Sequence, residues 1–342
     1  MKTNQVLGIS TLVLLVLSGW TYYDSVTRAE RFERGQDFLP NLNPDEIAQI
    51  VIRKGEDETR LRREDEKFVV ASADGYPASN EAVNRFLRDV LDLKLEKEVG
   101  KGERLEQELE IAPPGEESLE VALLNANEKD MVRFVIGKGA DDAGGSFVAR
   151  TDSGDRTIYL TSSRVFLNTT NDDFLQNEIL NVEGEKIATI TSLGFQIVNE
   201  DGDFKLADLP AGKKESSKVN SAKWMLSNLR FTAQHLADTE EVVGLEWDTT
   251  VHVELDDDSR YEVELARQDE KHYLRIQGFY KSERVSIAVD AGDEEVKYTA
   301  DVLKRIDELQ LFNRLHGSWV YEVSESTANK FRLERSELME DA

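Results

Sequence analysis

The chain has 342 residues, of which 39% are hydrophobic, and this is enough for two ordinary domains with apolar cores. Its 68 acidic residues exceed its 42 basic residues, which gives a formal net charge of −26. This charge argues against a nucleic-acid-binding protein, because phosphate recognition needs Lys and Arg on the surface. The chain has no cysteine, which excludes disulfides, thiol catalysis and cysteine-based zinc sites.

Residues 3–23 carry no charge and have a strongly apolar centre. A helix of this length covers the roughly 30 Å hydrocarbon core of a bilayer, so residues 1–24 are predicted to be a single transmembrane anchor. The competing interpretation is a cleaved signal peptide, but no small-x-small cleavage site follows the apolar run. The predicted membrane-anchor residues are Leu12, Leu14, Leu15, Leu17 and Trp20.

The orientation of this anchor rests on weak charge signals. Lys2 precedes the apolar run, whereas Arg28, Arg31 and Arg34 follow it, so the count of positive charges alone opposes export. Glu30 and Glu33 alternate with those arginines, and a short positive segment before an apolar run is the usual export signal. We therefore expect the bulk of the chain outside the cytoplasmic membrane, after a polar stalk at 25–45.

Short β-branched and apolar runs separated by turn residues predict the strands of both halves. A helix with Val83, Phe86, Leu87 and Val90 on one face is expected in the first half, and residues 105–114 are predicted to be a linker. A second helix is predicted at 299–311, and 329–342 is predicted to be an acidic tail. The predicted strands are 47–52, 59–63, 119–124, 131–136, 146–150, 157–160, 187–191, 194–198, 250–255, 261–266, 272–277, 284–289, 296–298 and 319–323.

One stretch of the chain occurs twice, at 65–95 and again at 201–231. At this single offset, Asp65, Phe68 and Val83 meet identical residues. Both copies run from a polar turn through a short strand to a segment with apolar residues three and four positions apart, which predicts a helix face. The sequence therefore predicts two tandem, internally repeated α+β units with mainly antiparallel sheets, at 46–182 and 183–328.

The chain resembles a bacterial family of unknown function, the domain-of-unknown-function family 4340. The resemblance is carried by Tyr76-Pro77-Ala78 before the first helix, Ile136-Gly137, Phe147 to Arg150, Ile158 to Leu160 and Trp319 to Glu322, with Phe147 where the family pattern leads us to expect Tyr. The resemblance implies a membrane-anchored protein, in some members encoded beside ABC-type transport components of the gliding-motility auxiliary kind. It implies no catalytic residues.

No motif for catalysis or metal binding stands out in the sequence. The four histidines, His235, His252, His272 and His316, lack ligand spacing, so no zinc or iron site is predicted. The glycine-rich stretch 137–146 lacks the Gly-Lys-Ser/Thr end of a phosphate-binding loop, and a hairpin is expected there. Acidic groups at 199–203, 256–258 and 290–295 do not continue into a calcium-loop pattern, although weak calcium binding at the surface stays open.

Trp224 is the main surface candidate, because it falls beside the apolar stripe of its segment. It is expected either at the border with the neighbouring unit or on a partner surface. The second copy of the repeat replaces Tyr76-Pro77-Ala78-Ser79 with Gly212-Lys213-Lys214-Glu215. Since a specific contact is best sought where the copies differ, Tyr76 and Pro77 are further candidate partner contacts.

These observations predict a non-catalytic, single-pass accessory or scaffold protein of an envelope ABC-type transport complex. It is expected in the bacterial inner membrane with its bulk on the periplasmic side, without a cofactor, and with permease, ATPase or auxiliary subunits as protein partners. The alternative is an envelope sensor that binds a ligand, polysaccharide or peptidoglycan in the groove between the two units. An enzyme of an unrecognised kind is the third hypothesis.

Overall fold

The computed structural model describes Ser18 and residues 32–112, 118–141, 144–152, 156–281 and 293–342, with side chains in the last range from 296 onward. The chain divides into two compact units, Met1–Gln176 and Asn177–Ala342. The predicted boundary between residues 182 and 183 falls a few residues beyond this division. The predicted anchor, including Leu12, Leu14, Leu15, Leu17 and Trp20, lies outside the described residues.

Unit 1 is built on one nine-stranded antiparallel sheet with the order β4-β3-β2-β1-β6-β7-β8-β9-β5. Its helices are α1 (Asn80–Leu91), α2 (Glu103–Glu108) and α3 (Asn171–Phe174). The strands are β1 (Gln49–Lys54), β2 (Asp57–Glu64), β3 (Lys67–Val70), β4 (Tyr76–Pro77), β5 (Leu95–Gly100), β6 (Leu119–Leu124), β7 (Asp130–Gly139), β8 (Ser146–Arg150) and β9 (Ile158–Thr161).

Helix α1 covers the main apolar face of this unit. Ser79 caps it by accepting a hydrogen bond from the Ala82 amide, which satisfies one of the free donors of the first turn. Its apolar residues three and four positions apart are buried as the sequence predicts, and Phe86 meets Phe174 edge to face at 5.6 Å between ring centroids. Deleting such a buried aromatic side chain costs about 3–5 kcal/mol.

The opposite face of the same sheet carries a smaller core under α2 and the chain that follows it. Ile111, Ala149 and Ile158 are buried there, with Leu105 and Leu109 packed against them. The Leu109 carbonyl accepts a hydrogen bond from the Lys138 amide at 3.1 Å, so this segment crosses β7. Residues 105–114, predicted to be a linker, therefore include a short helix and a covering segment, a correction that follows from the burial of Ile111.

Unit 2 is built on an eight-stranded antiparallel sheet with the order β13-β12-β11-β17-β18-β19-β20-β16 and two small two-stranded sheets, β10-β15 and β14-β21. Its helices are α4 (Ser217–Ser221), α5 (Glu240–Val243), α6 (Asp293–His316) and α7 (Glu325–Phe331). The strands are β10 (Glu178–Leu180), β11 (Ile187–Ser192), β12 (Phe195–Glu200), β13 (Asp203–Leu206), β14 (Lys213–Glu215), β15 (Leu229–Arg230), β16 (Ala233–Leu236), β17 (Trp247–Leu255), β18 (Ser259–Gln268), β19 (Lys271–Tyr280), β20 (Trp319–Val323) and β21 (Met339–Asp341).

The strands of the two large sheets follow one another in the same way. Eight strands have an equivalent spatial order in the two sheets: β3-β2-β1-β6-β7-β8-β9-β5 in unit 1 and β13-β12-β11-β17-β18-β19-β20-β16 in unit 2. Each order begins with three consecutive strands, continues through a meander of four strands and ends at an edge strand that precedes the meander in the chain. Helix α6 stands between β19 and β20, where unit 1 connects β8 to β9 through residues 151–157. A connection that includes a long helix is therefore particular to unit 2.

Helix α6 covers the edge of β19 where none of the described strands pairs with it. Strand β20 pairs with β19 only from His272 to Leu274. Further along, the Asn313 side chain donates from Nδ2 to the Gly278 carbonyl at 2.6 Å and accepts from the Gly278 amide at 2.7 Å. A side-chain amide thus satisfies both backbone groups of a buried strand residue, which would otherwise lose their hydrogen bonds on burial.

Replacing Asn313 with alanine is expected to destabilise unit 2 by about 2 kcal/mol, because it leaves the amide and carbonyl of Gly278 buried without partners. Urea unfolding followed by tryptophan fluorescence measures this, since Trp224, Trp247 and Trp319 all lie in unit 2. Gln310→Ala is the matched control, because Gln310 is exposed on the same helix. Equal unfolding midpoints for the two variants would contradict the assigned role of Asn313.

Several predicted elements need correction in the structure. The predicted strand 296–298 is part of α6, and the repeat's second helix ends after α4 in a short 3-10 turn. The predicted strand 284–289 lies outside the described residues and stays a prediction. Phe38 and Leu39, in the predicted stalk, are buried. Residues 329–342, predicted to be an acidic tail, finish α7 and add β21 to β14, and Leu338 is fully buried there.

The described helices and strands confirm a mixed α+β fold with mainly antiparallel sheets. A search of the described residues for a helix both long and apolar enough to cross a bilayer returns none.

Candidate functional site

The predicted surface residues occupy different environments. Tyr76 is only 1% exposed and lies in β4, so the prediction that it contacts a partner is wrong: its ring is part of the core of unit 1. Pro77 is half-buried in the same strand. Trp224 is 55% exposed, with the Lys223 ammonium 5.3 Å from its ring centroid. Its exposure is compatible with partner contact, which stays a prediction.

Three of the four histidines contact a neighbouring side chain, whereas His272 is buried and its Nδ1 has no hydrogen-bond partner among the described residues. His316 is buried beside Phe312, and its Nδ1 lies 2.6 Å from the Tyr321 hydroxyl. Burial lowers the pKa of His316 from 6.5 to about 4, because the charged imidazolium loses its hydration. His235 contacts Glu241 at 2.8 Å, and His252 lies 3.3 Å from Glu262. Over the described parts of the chain, no group of three His, Asp or Glu side chains has metal-binding geometry.

The glycines of the stretch 137–146 allow close approach of neighbouring chain. A β-carbon at Gly137 would lie 2.1 Å from the Leu109 carbonyl oxygen, and one at Gly145 would lie 2.1 Å from the Thr161 carbonyl oxygen. At Gly139 the Arg164 guanidinium occupies the same space, 2.6 Å from such a carbon. Packing against backbone explains Gly137 and Gly145, since a side chain there would clash with a carbonyl oxygen, whereas at Gly139 the flexible Arg164 side chain can move aside.

Two of the acidic groups form hairpin turns. Asp201 has a φ of 55° in the turn between β12 and β13, and the Gly202 amide donates to Asn199 Oδ1 at 2.8 Å. Residues 256–258 form the turn between β17 and β18, where Asp258 has a φ of 62°. Asp and Asn tolerate this left-handed conformation better than most residues, which accounts for their place in turns.

The strongest candidate site is a groove in unit 2, here called the acidic groove. It is a cavity of about 380 Å³ between the β17–β18 turn, the end of β19 and one side of α6. Its described lining residues are Asp256, Asp257, Asp258, Tyr280, Tyr298, Asp301, Val302, Lys304, Arg305 and Glu308. The cavity size and mixed aromatic and charged lining are typical of a binding site.

Arg305 organises one wall of the acidic groove. Its guanidinium lies 2.8 Å from Asp257 and 3.1 Å from Glu308, and it donates to the Ser259 hydroxyl at 3.1 Å. The pKa of Arg305 is raised: burial acts in the opposite direction, but the neighbouring Tyr261, Asp257 and Glu308 outweigh it. This arginine is therefore a fixed structural cation that ties α6 to the turn.

Two tyrosines line the other side of the groove. Tyr298 is 64% exposed, whereas Tyr280 is half-buried at the end of β19. Burial, together with a hydrogen bond to Tyr298 and the charge of Asp258, raises the pKa of Tyr280. The Tyr280 phenol is therefore neutral near pH 7, and the two rings offer an aromatic surface beside carboxylates.

Sequence reasoning identified parts of this groove but not the groove itself. It singled out the acidic group 256–258 and predicted a helix at 299–311, which includes Asp301, Arg305 and Glu308. Tyr298 was not identified as a lining residue, because residues 296–298 were predicted to be a strand, whereas they belong to the first turns of α6. The sequence gives little signal for this helix beyond 299–311, because the apolar residues of 293–316 do not follow a single helix face.

The chain is therefore an α+β protein with two mainly antiparallel units, one of which carries a groove lined by aromatic and acidic residues. A family model described as "Domain of unknown function (DUF4340)" matches residues 69–276, which is more than half of the chain. The chain belongs to this family. Neither the search of curated proteins nor the search of solved structures returned a match.

Proposed function

We propose that this chain is a non-catalytic, membrane-anchored accessory or scaffold protein of an envelope ABC-type transport complex. In this proposal residues 1–24 anchor the chain in the bacterial inner membrane and the two units lie on the periplasmic side. The apolar, uncharged run at 3–23 supports the anchor. The family's implied association with transport components of the gliding-motility auxiliary kind supports the partner.

The observation that carries the scaffold function is an exposed apolar stripe on α6. Val296, Leu303, Leu311 and Leu315 are 45%, 48%, 61% and 37% exposed, and they lie on the side of the helix away from buried Val302 and Leu309. Apolar side chains grouped on one face of a surface helix mark protein–protein contacts, because water contact there is unfavourable. The equivalent strands of unit 1, β8 and β9, are joined by residues 151–157 alone.

The described histidines support the non-catalytic part of the proposal. A general base needs a free nitrogen facing solvent or substrate at a pKa near the working pH. Buried His316 is neutral near pH 7 and contacts Tyr321, His235 faces Glu241 of α5, and His252 faces Glu262 on the neighbouring strand. Their contacts are those of structural residues.

The proposal includes a duplicated fold as its framework. The shared order of eight strands in the two large sheets supports this, as does the burial of matching residues: Phe68 and Phe204, and Val83 and Val219, are all buried. In this interpretation one copy keeps the short connection and the other acquired α6. The element that distinguishes the copies then carries the specific contact.

Affinity purification of the full chain from its native membranes tests the scaffold function. Recovery of ABC-type permease and ATPase subunits is expected with the wild type, and a fall of at least about tenfold is expected for Leu303→Glu combined with Leu311→Glu, because charge in an apolar contact is costly. Leu193→Glu is the matched control, since Leu193 is 98% exposed at a hairpin tip. Absence of transport subunits from the wild-type sample refutes the proposal.

A sensor of envelope polymers is the second candidate function. The acidic groove favours it, because tyrosine rings beside carboxylates are suited to stacking and hydrogen bonding with sugars. A thermal-shift screen of the full chain with peptidoglycan fragments and neutral sugars separates the two functions. The scaffold function predicts no shift, whereas a saturable shift of several degrees would favour the sensor.

A further inference from the structure

We infer that the acidic groove of unit 2 binds a lysine- or arginine-bearing segment of a partner protein. This inference deepens the proposed function, on which it rests, by naming the chemistry of the partner segment. It concerns a site within unit 2, distinct from the groove between units that the sequence suggested.

The charge balance of the groove selects a cation. The described lining has five carboxylates and two cations, Lys304 and Arg305. Both cations already have partners: Arg305 contacts Asp257 and Glu308, and the Lys304 ammonium lies 3.9 Å from Glu308. Asp256 and Asp301 are exposed, and within the described residues neither makes an ion pair. An incoming positive charge is therefore attracted to them, while an anionic polymer is repelled.

The aromatic lining favours a cationic side chain over a simple ion. The exposed ring of Tyr298 and the partly buried ring of Tyr280 lie beside these carboxylates. Cation–π contact adds about 0.5–2 kcal/mol when a cation is partly desolvated. The described part of the same unit has three such contacts: Lys223 lies 5.3 Å from the Trp224 centroid, Arg260 lies 5.2 Å from the Phe279 centroid, and Arg275 lies 4.3 Å from the Trp247 centroid.

The position of the groove favours a protein segment over an isolated amino acid. Glu308 lines the cavity from α6 and lies three residues before stripe residue Leu311, on the same side of the helix. A segment with basic and apolar residues can therefore place its charge in the groove and its apolar side chains on α6. Charge at the rim of such a contact contributes specificity and association rate.

The test uses the full chain in detergent and fluorescently labelled hexalysine as the probe, at low ionic strength. Asp256→Asn combined with Asp301→Asn removes two groove carboxylates that make no ion pair within the described residues, without changing side-chain size. Asp238→Asn combined with Asp269→Asn is the matched control, because both residues are exposed in unit 2 and lie outside the described lining of the groove. Both variants lower the net negative charge equally.

The groove variant is expected to bind hexalysine at least about fivefold more weakly than the wild type, with less than a twofold change in the control. Tyr298→Leu is expected to weaken binding about threefold, in line with a lost cation–π contact. Equal effects of the two double variants would overturn the inference, because the general field of the protein would then explain binding. A thermal shift by neutral sugars that the groove variant abolishes would also overturn it.

Failure of the inference is distinguishable from failure of the proposed function. If the groove variant binds hexalysine like the wild type but still recovers the transport subunits from membranes, the groove is not the cation site and the scaffold function stands. If the wild type recovers no transport subunits, the scaffold function fails, whatever hexalysine does.

Discussion

Replacing Gly137 with alanine is expected to destabilise unit 1 by about 3 kcal/mol, through overpacking and a lost hydrogen bond. The new β-carbon would lie 2.1 Å from the Leu109 carbonyl oxygen and 3.0 Å from Ile111 Cδ1, so the crossing segment must move away from β7. That movement breaks the hydrogen bond from Lys138 to Leu109 and uncovers the small core around Ile111. Hydrogen exchange of peptides covering 103–112 and 130–139 measures the change locally.

Gly244→Ala is the control for the Gly137 substitution. Gly244 has a negative φ of −96°, and a β-carbon there meets nothing within 4 Å. Its exchange rates and unfolding midpoint are expected to match those of the wild type. Unchanged protection of both peptides in the Gly137 variant would show that the segment 109–111 does not cross β7 closely.

Acid is expected to destabilise unit 2 through His316, with a loss of about 3 kcal/mol between pH 6.5 and pH 4. The folded pKa of about 4 lies below the ordinary 6.5, because burial disfavours the imidazolium. In this window the unfolded chain binds more protons, so stability is complete above pH 6.5 and falls as the pH falls. Urea unfolding by tryptophan fluorescence at each pH measures the slope.

His316→Gln removes the titrating group while it keeps a hydrogen-bonding side chain near Tyr321. Its stability is expected to depend less on pH than that of the wild type across the same window. His252→Gln is the matched control, since His252 is half-buried on a strand in the same unit. A His316 variant with the slope of the wild type would contradict the assignment.

Elements with a strong local pattern were predictable from the sequence. β6 and β8 begin and end where their apolar runs do, and α1 follows from the period of Val83, Phe86 and Val90 together with the Ser79 cap. These elements bury one whole face, so side-chain alternation reports them directly. The resemblance drawn from short motifs is confirmed by the family match.

Other elements depend on contacts that are distant in sequence. β5 is polar along most of its length, and it becomes a strand only because β9 pairs with it. β14 and β21 pair across more than a hundred residues, so neither has a strand pattern of its own. Tertiary pairing determines such strands, and local propensity is a weak guide to them.

The candidate site illustrates the same limit. The sequence of residues 256–258 indicates a turn, but the position of this turn opposite Asp301 depends on the packing of α6 against β19. Tyr76 is a residue whose burial the sequence does not indicate. A tyrosine beside proline in a loop-like stretch suggests exposure, whereas the short bridge from Tyr76 to Val70 places the ring in the core.

The connection through α6 also has a kinetic consequence. β8 and β9 are joined by residues 151–157, but β19 and β20 are joined by residues 281–318. A connection roughly fivefold longer adds about 1.4 kcal/mol to the entropy cost of closing the loop. The β20–β16 edge of unit 2 therefore joins the sheet late in folding and opens early. A partner that holds α6 in place would act as a clamp on that edge and slow its opening.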